Sequence, residues 1–357
     1  MHERALVSEA VALASAGQPA RIQRTPQATY AVGPEGLVAV VEPGDRPDGT
    51  AVRERGRLFL TGPFPEEVNA LLLASFRERW DEPTVHGFVR LPGGCLPLGP
   101  LTHKAGGYDP DEGAVTEYEL GLDHPLPFDV LDRVRPVSAA PRTPGTEWLD
   151  LLPHAPIDAT SAFIADWYAD APAPEHHVPP ALALPTPLAA FYRAVGGREE
   201  LLGRQDRVFP PAGLRRLDDG SVAFGSENQG DFTLTIDPTA ADPAVYYLGW
   251  ADGPVRDPLP LSMFLMMFAV REASFTGPCY ASGGVDEDQA QALTRGLRCV
   301  PTGGWLLGRD TEFHVGEGLV LQVDRGGRGP HVFLSARHRA HLAPLRAFDV
   351  AWHAFAG

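Results

Sequence analysis

The heptapeptide Phe224-Gly-Ser-Glu-Asn-Gln-Gly230 sets a carboxylate, Glu227, beside two carboxamides, Asn228 and Gln229, inside a frame of glycines. Such a trio grips a polar substrate only when groups from elsewhere in the chain converge on it. The same residues suit a strand-to-strand connection, where polar side chains bond exposed backbone and Gly230 supplies a permissive turn. No converging group can be assigned from sequence, so the segment reads as a turn and no catalytic residue is assigned.

Other chemistry-bearing residues divide in the same way. Glu175-His176-His177 falls in a proline-rich loop, and His338 and His341 lie three apart near the C-terminus. A metal site needs three or four converging ligands, and neither pair brings matching carboxylates or thiolates, so no metal is expected. Arg337, Arg339 and Arg346 with these histidines read as a solvated helix face. Asp109-Pro-Asp-Glu112 is a run of oxygen ligands without calcium-loop spacing, and a surface turn accounts for it. Cys95 has no assignable histidine and reads as a buried thiol. Nucleophile-elbow, Walker and zincin motifs are missing.

The net charge of −16 is spread over both halves of the 357 residues. Such a surface repels phosphate backbones and anionic membranes and favours a basic partner. Three widely spaced cysteines imply free thiols and a reducing cytoplasm. The N-terminal stretch lacks a basic leader and reads as an ordinary helix. The most apolar window, Leu261 to Val270, is too short to span a bilayer.

These residues need a scaffold, and the pattern predicts one of α+β class with a largely antiparallel sheet. Residues 1–140 read as a smaller α+β domain. They hold a helix over 3–16, strands near 29–32, 37–42, 57–61, 85–91 and 114–122, and a helix opened by Pro65. Residues 141–183 read as a proline-rich linker with a short helix over about 158–169. Residues 184–357 form the second domain. A helix over 187–195 stops at Gly196-Gly197, and strands lie near 207–209, 222–225, 232–236 and 245–248. Ser262 reads as the N-cap of an all-round apolar helix over 263–272. A meander over 312–335 precedes a final helix from Arg337.

In order along this half stand Leu184-Pro185 with Phe191, Tyr192, Gly196 and Gly197, then Glu227-Asn-Gln-Gly230, then Asp242-Pro243 with Tyr246, then the apolar helix. The combination resembles the SUKH superfamily, which groups fungal cell-wall-assembly regulators with many bacterial immunity proteins. The resemblance spans roughly 180–345 and implies an α+β domain that binds proteins, in many bacterial members a toxin and often a nuclease. It implies no enzyme activity and no cofactor. The expected function is therefore toxin neutralisation, with acidic contacts sought among Glu199, Glu200, Asp218, Asp219, Glu227 and Asp231. An intracellular scaffold, or an enzyme with its site in residues 1–140, are the alternatives.

Overall fold

The computed structural model describes residues 5–44, 49–77, 84–136, 142–171, 183–204, 206–327 and 329–357, with Ser75, Arg77, Glu199 and Glu200 as backbone alone. The chain is α+β and divides into two units: Met1–Ala139 with Ala354–Ala356, and Ala140–His353 with Gly357.

The first unit is built on one eight-stranded sheet. Its elements are α1 (Glu9–Ala14), β1 (Arg21–Arg24), β2 (Ala28–Gly33), β3 (Gly36–Val41), β4 (Ala51–Glu54), β5 (Arg57–Thr61), α2 (Glu66–Arg77), β6 (Val85–Leu91), β7 (Gly94–Asp109), β8 (Ala114–Leu122) and α3 (Phe128–Val134). The strand order is β1-β2-β3-β6-β7-β8-β5-β4, and among the described residues only β3 and β6 run parallel. β2 and β3 are buried nearly throughout because both faces are covered. Val68 and Leu72 of α2 join Leu131 and Val134 of α3 in one core. On the other face, Ala12 and Leu13 of α1 pack on Ala31, Val38, Val40 and Cys95. Arg90 ties α1 to that face, its guanidinium donating to Glu9, Glu42 and Thr29.

The second unit begins earlier than the proline content suggests. α4 (Trp148–Leu151) and α5 (Pro156–Trp167) occupy much of the segment read as a linker, and they carry Trp148, Leu149, Phe163, Ile164 and Trp167 into its core. Pro156 sits in the first turn of α5, where its missing N–H has no partner to lose. α6 (Thr186–Val195) buries Leu188, Phe191, Tyr192 and Val195 and ends at Gly196, whose φ of 58° is the left-handed cap a side chain resists.

Two largely antiparallel sheets follow. β9 (Asp206–Val208), β10 (Arg215–Arg216), β11 (Val222–Glu227), β12 (Thr233–Ile236), β13 (Ala244–Leu248) and β14 (Val255–Pro260) form the first, with β9 and β10 both paired to β11. After α7 (Leu261–Thr276) come β15 (Cys279–Gly284), α8 (Glu287–Thr294), β16 (Arg298–Val300), β17 (Thr311–Gly316), β18 (Leu319–Asp324), β19 (His331–Ala336) and β20 (Trp352–Phe355). These strands make the second sheet, in the order β16-β17-β18-β19-β15-β20. α7 is buried on nearly every side, as its all-round apolar sequence requires.

Two local expectations are corrected. Ser262 is not an N-cap but lies inside α7, which starts at Leu261. The final helix from Arg337 is instead two short 3₁₀ turns, Arg339–His341 and Ala343–Ala347, followed by β20. Among the described residues no helix is long and apolar enough to cross a membrane.

Candidate partner-binding surface

Glu227 ends β11, and its side chain folds back over the turn that follows. Its carboxylate accepts from the Gln229 N–H at 2.5 Å and the Asp231 N–H at 3.4 Å, while its carbonyl accepts from the Gly230 N–H. Gly230 has φ 85° with open space around it. The segment is thus a hairpin turn held by its carboxylate rather than by the two carboxamides. Asn228 and Gln229 are exposed to solvent.

Register brings a second turn to the same end of the sheet. Thr233 pairs with Leu248, so residues 249–254, between β13 and β14, lie beside the 228–231 turn. An added Cβ on Gly249 would meet the carbonyl oxygen of Asp231 at 3.0 Å, which shows how closely the two turns approach. Trp250 projects from this turn. Its ring stacks on Phe232 at 5.4 Å and meets Tyr247 edge-on at 4.8 Å, yet the side chain remains 45% exposed. Exposed Asp231 and Asp252 flank it. Nothing in the periodicity singled out Trp250 or Asp252; a tryptophan beside Gly249 in a polar turn was the available signal.

Next to Glu227 lies an open groove of about 520 Å³, whose lining includes Leu202, Gly203, Arg207, Phe209, Ser226 and Asn228. Its base is held from α7. Buried Glu272 accepts from the Arg204 N–H at 2.7 Å and the Asp206 N–H at 3.4 Å, and Arg271 pairs with Asp206. Burial pushes the Asp206 carboxyl above its ordinary range, against the opposing pull of Arg271. Deeper still, the fully buried Asp257 accepts from the Tyr247 hydroxyl at 2.6 Å and from the Leu259 and Leu306 N–H groups. These buried carboxylates brace loops and strands.

The six acidic residues among which partner contacts are sought are divided by the strand between them. Glu227 and Asp231 stand at one end of β11. Asp218 and Asp219 stand at the other, in the turn before Val222, where Asp219 accepts from Ser221. A six-residue strand sets the two pairs about 20 Å apart. Glu199 and Glu200 belong to the 3₁₀ turn that runs into Leu202 at the groove.

Nor is the outward face of this sheet acidic. The registers align Arg215, Ala223, Thr235, Tyr246 and Arg256 in one row across five strands. Arg207, Ser226, Thr233 and Leu248 form a second row on the same face. The acidic residues of these strands point elsewhere: Asp206 and Asp257 inward, Glu227 over its turn.

The remaining signature residues have structural roles. The Tyr192 hydroxyl donates to the Phe209 carbonyl at 2.6 Å, Gly197 takes φ 82°, and the Pro243 carbonyl accepts from the Leu261 N–H. Asp109 accepts from the Asp111 and Glu112 N–H groups, making its oxygen-rich run a closed turn. Cys95 is a buried free thiol. His338 and Arg339 are buried, not parts of a solvated face, and Arg337 reaches Asp170 at 3.3 Å. Among the described residues no three His, Cys, Asp or Glu side chains are grouped to hold a metal ion. Glu175, His176 and His177 lie outside the described residues.

In the first unit an open groove of about 800 Å³ runs between α2 and the β1–β2 edge. Its walls are Pro19, Val32, Pro34, Ala70 and Leu71, with Arg21 and Glu67 paired across it.

No family model matches the chain, and no curated protein or solved structure shows significant similarity to it.

Proposed function

We propose that the second unit is a protein-docking module for a basic partner, and that the partner is a toxin domain which the chain neutralises by occupying its working surface. The observation that carries this reading is the placement of Trp250, a half-exposed aromatic ring beside Glu227, Asp231 and Asp252 at one end of the sheet. Tryptophan is enriched among residues that dominate binding energy, and surrounding carboxylates steer and orient a cationic protein. The SUKH resemblance supports the toxin as the concrete partner, nucleases among them. Three free thiols fit a cytoplasmic setting.

A second reading, an intracellular scaffold, draws on the first unit, which has its own sheet and core beyond what a minimal antidote requires. An enzyme sited there has less support. The two charged groups in the first unit's groove, Arg21 and Glu67, satisfy each other, and its walls are apolar.

The test is co-expression with toxin domains encoded beside the gene, with affinity measured on the purified pair. The expected result is rescue of growth by the wild type and a loss of about 30-fold in affinity for Trp250→Ala, the scale of one hot-spot residue. Absence of both binding and rescue would overturn the reading; stable association with a housekeeping protein would select the scaffold.

A further inference from the structure

We infer that the open edge of the first unit's sheet, strand β1, is a second docking site, one that takes up an extended segment of another protein as an added strand. Among the described residues β1 pairs with β2 alone, and its Arg21, Ile22 and Arg24 are exposed. The Thr25 N–H donates to the Ala28 carbonyl, which fixes the phase of the ladder, so Gln23 and Arg21 exchange bonds with Tyr30 and Val32. The N–H and C=O groups of Ile22 and Arg24 therefore point away from the sheet, two donors and two acceptors in a row that suits a further backbone. The far edge is different. There β4 is buried or half-buried throughout, and its Arg53 carbonyl accepts from the buried Arg135 at 2.6 Å.

Side chains around the edge define the occupant. Ile22 and Arg24 share the α1 face, because their partners are Ala31, packed under α1, and Thr29, which Arg90 contacts. Ile22 is 49% exposed and favours an apolar neighbour, whereas Arg24 favours a carboxylate. Glu9 feels the charge of Arg24 but is held by Arg90, which leaves Arg24 for an incoming acid. On the other face Pro19 and Arg21 line the groove of about 800 Å³, where Val32, Pro34, Ala70 and Leu71 offer apolar walls. An antiparallel strand that fits carries a carboxylate opposite Arg24 and an apolar residue two positions on, opposite Ile22. Apolar residues three and five positions on enter the groove. A second copy of β1 fits badly. Outward-pointing residues must pair with each other, so its centred register sets Arg24 against Ile22 twice. With one carboxylate, the segment meets little repulsion from a chain of net charge −16.

The test titrates the full chain against the dye-labelled peptide Ser-Glu-Thr-Val-Leu-Ser-Leu-Ser by fluorescence anisotropy. Two N-methylated forms separate strand addition from apolar adsorption. Methyl groups on the Glu and Val amides block the bonds to Arg24 and Ile22 and should abolish binding. On the Thr and first Leu amides they face away from β1 and should leave binding intact. Ile22→Pro removes an outward donor without touching the bonds to β2, and Ala70→Trp fills the groove from an exposed helix position. Each should weaken binding about tenfold, the scale of one lost hydrogen bond, as should Arg24→Glu. An unchanged melting temperature reports an intact fold, and Trp250→Ala should bind the peptide as the wild type does. Failure of the peptide to bind, equal loss with both methylation patterns, or wild-type binding by all three edge variants would overturn the inference. So would sedimentation showing dimers that Ile22→Pro disperses, since a second copy would then hold the edge. None of these outcomes bears on toxin rescue, so the two proposals fail separately.

Discussion

The carboxylate of Asp242 caps α7 from twenty residues upstream, accepting from the Ser262 N–H at 2.9 Å and the Ser262 hydroxyl at 2.7 Å. The residue before the helix is Pro260, which makes no side-chain cap, so two N–H groups of the first turn are met from the β12–β13 turn, Ser262 by the Asp242 carboxylate and Leu261 by the Pro243 carbonyl. Asp242 thereby joins the β12–β13 turn to the helix at the centre of the second unit.

Asp242→Ala is expected to destabilise the second unit by about 1–2 kcal/mol, the range for loss of a cap. Asp242→Asn keeps one acceptor and should lose less. Urea titration followed by tryptophan fluorescence measures this, since Trp148, Trp167, Trp250, Trp305 and Trp352 all lie in that unit. Equal midpoints for wild type and Asp242→Ala would contradict the cap.

The 228–231 turn makes a separate prediction. Gly230→Ala should cost about 1 kcal/mol because of the positive φ alone, as nothing crowds the site. Asn228→Ala should change stability by less than about 0.5 kcal/mol, as exposed positions do. A large loss for Asn228→Ala would return the carboxamide to a structural role.

Removing the Tyr247 hydroxyl leaves the buried Asp257 carboxylate short of one donor. Tyr247→Phe is expected to cost about 1.5–3 kcal/mol, the scale of a hydrogen bond to a charged group. Burial holds the folded Asp257 carboxyl above its ordinary 3.8. The stability tied to it is therefore full below that value and declines as pH rises through the folded value. The hydroxyl supports the ionised form, so the penalty of Tyr247→Phe should be greater at pH 7 than at pH 4. Denaturation at the two pH values decides; equal penalties would mean the pair does not couple.

Glu9 shows the opposite sign. Its hydrogen bond from Arg90 lowers the folded pKa below the ordinary 4.5. Its contribution is therefore present above that value and lost as pH falls through the folded one. Glu9→Gln should reduce stability near neutral pH by about 1 kcal/mol or less, as both groups are partly solvated. The difference from wild type should vanish in acid. Circular-dichroism melts between pH 3 and 7 test this, and a constant offset would refute it.

Local pattern made much of this fold legible. α6 was visible from the spacing of Leu188, Phe191, Tyr192 and Val195 and from its glycine stop, and α7 from its apolar run. What escaped depended on contacts between distant residues. The proline-rich stretches 135–145 and 171–185 made 141–183 look like a linker, although Phe163 and Trp167 stand four apart on one buried face of α5. The cap on α7 reads as Ser262 unless the position of Asp242 is known. At the candidate surface, the acidic residues could be counted but not placed. Strand β11 separates Asp219 from Glu227, and only cross-strand register aligns Arg215 with Arg256.

The burial of α7 has a kinetic corollary. The helix packs on α5 and α6 as well as on strands of both sheets in the second unit, so no side of it opens without disturbing another layer. Its amide protons should exchange with deuterium last in that unit, at the rate of complete unfolding, whereas the turns beside Trp250 exchange through local opening. A ligand gripping those turns would slow their labelling and leave the helix's own labelling rate to report the added global stability.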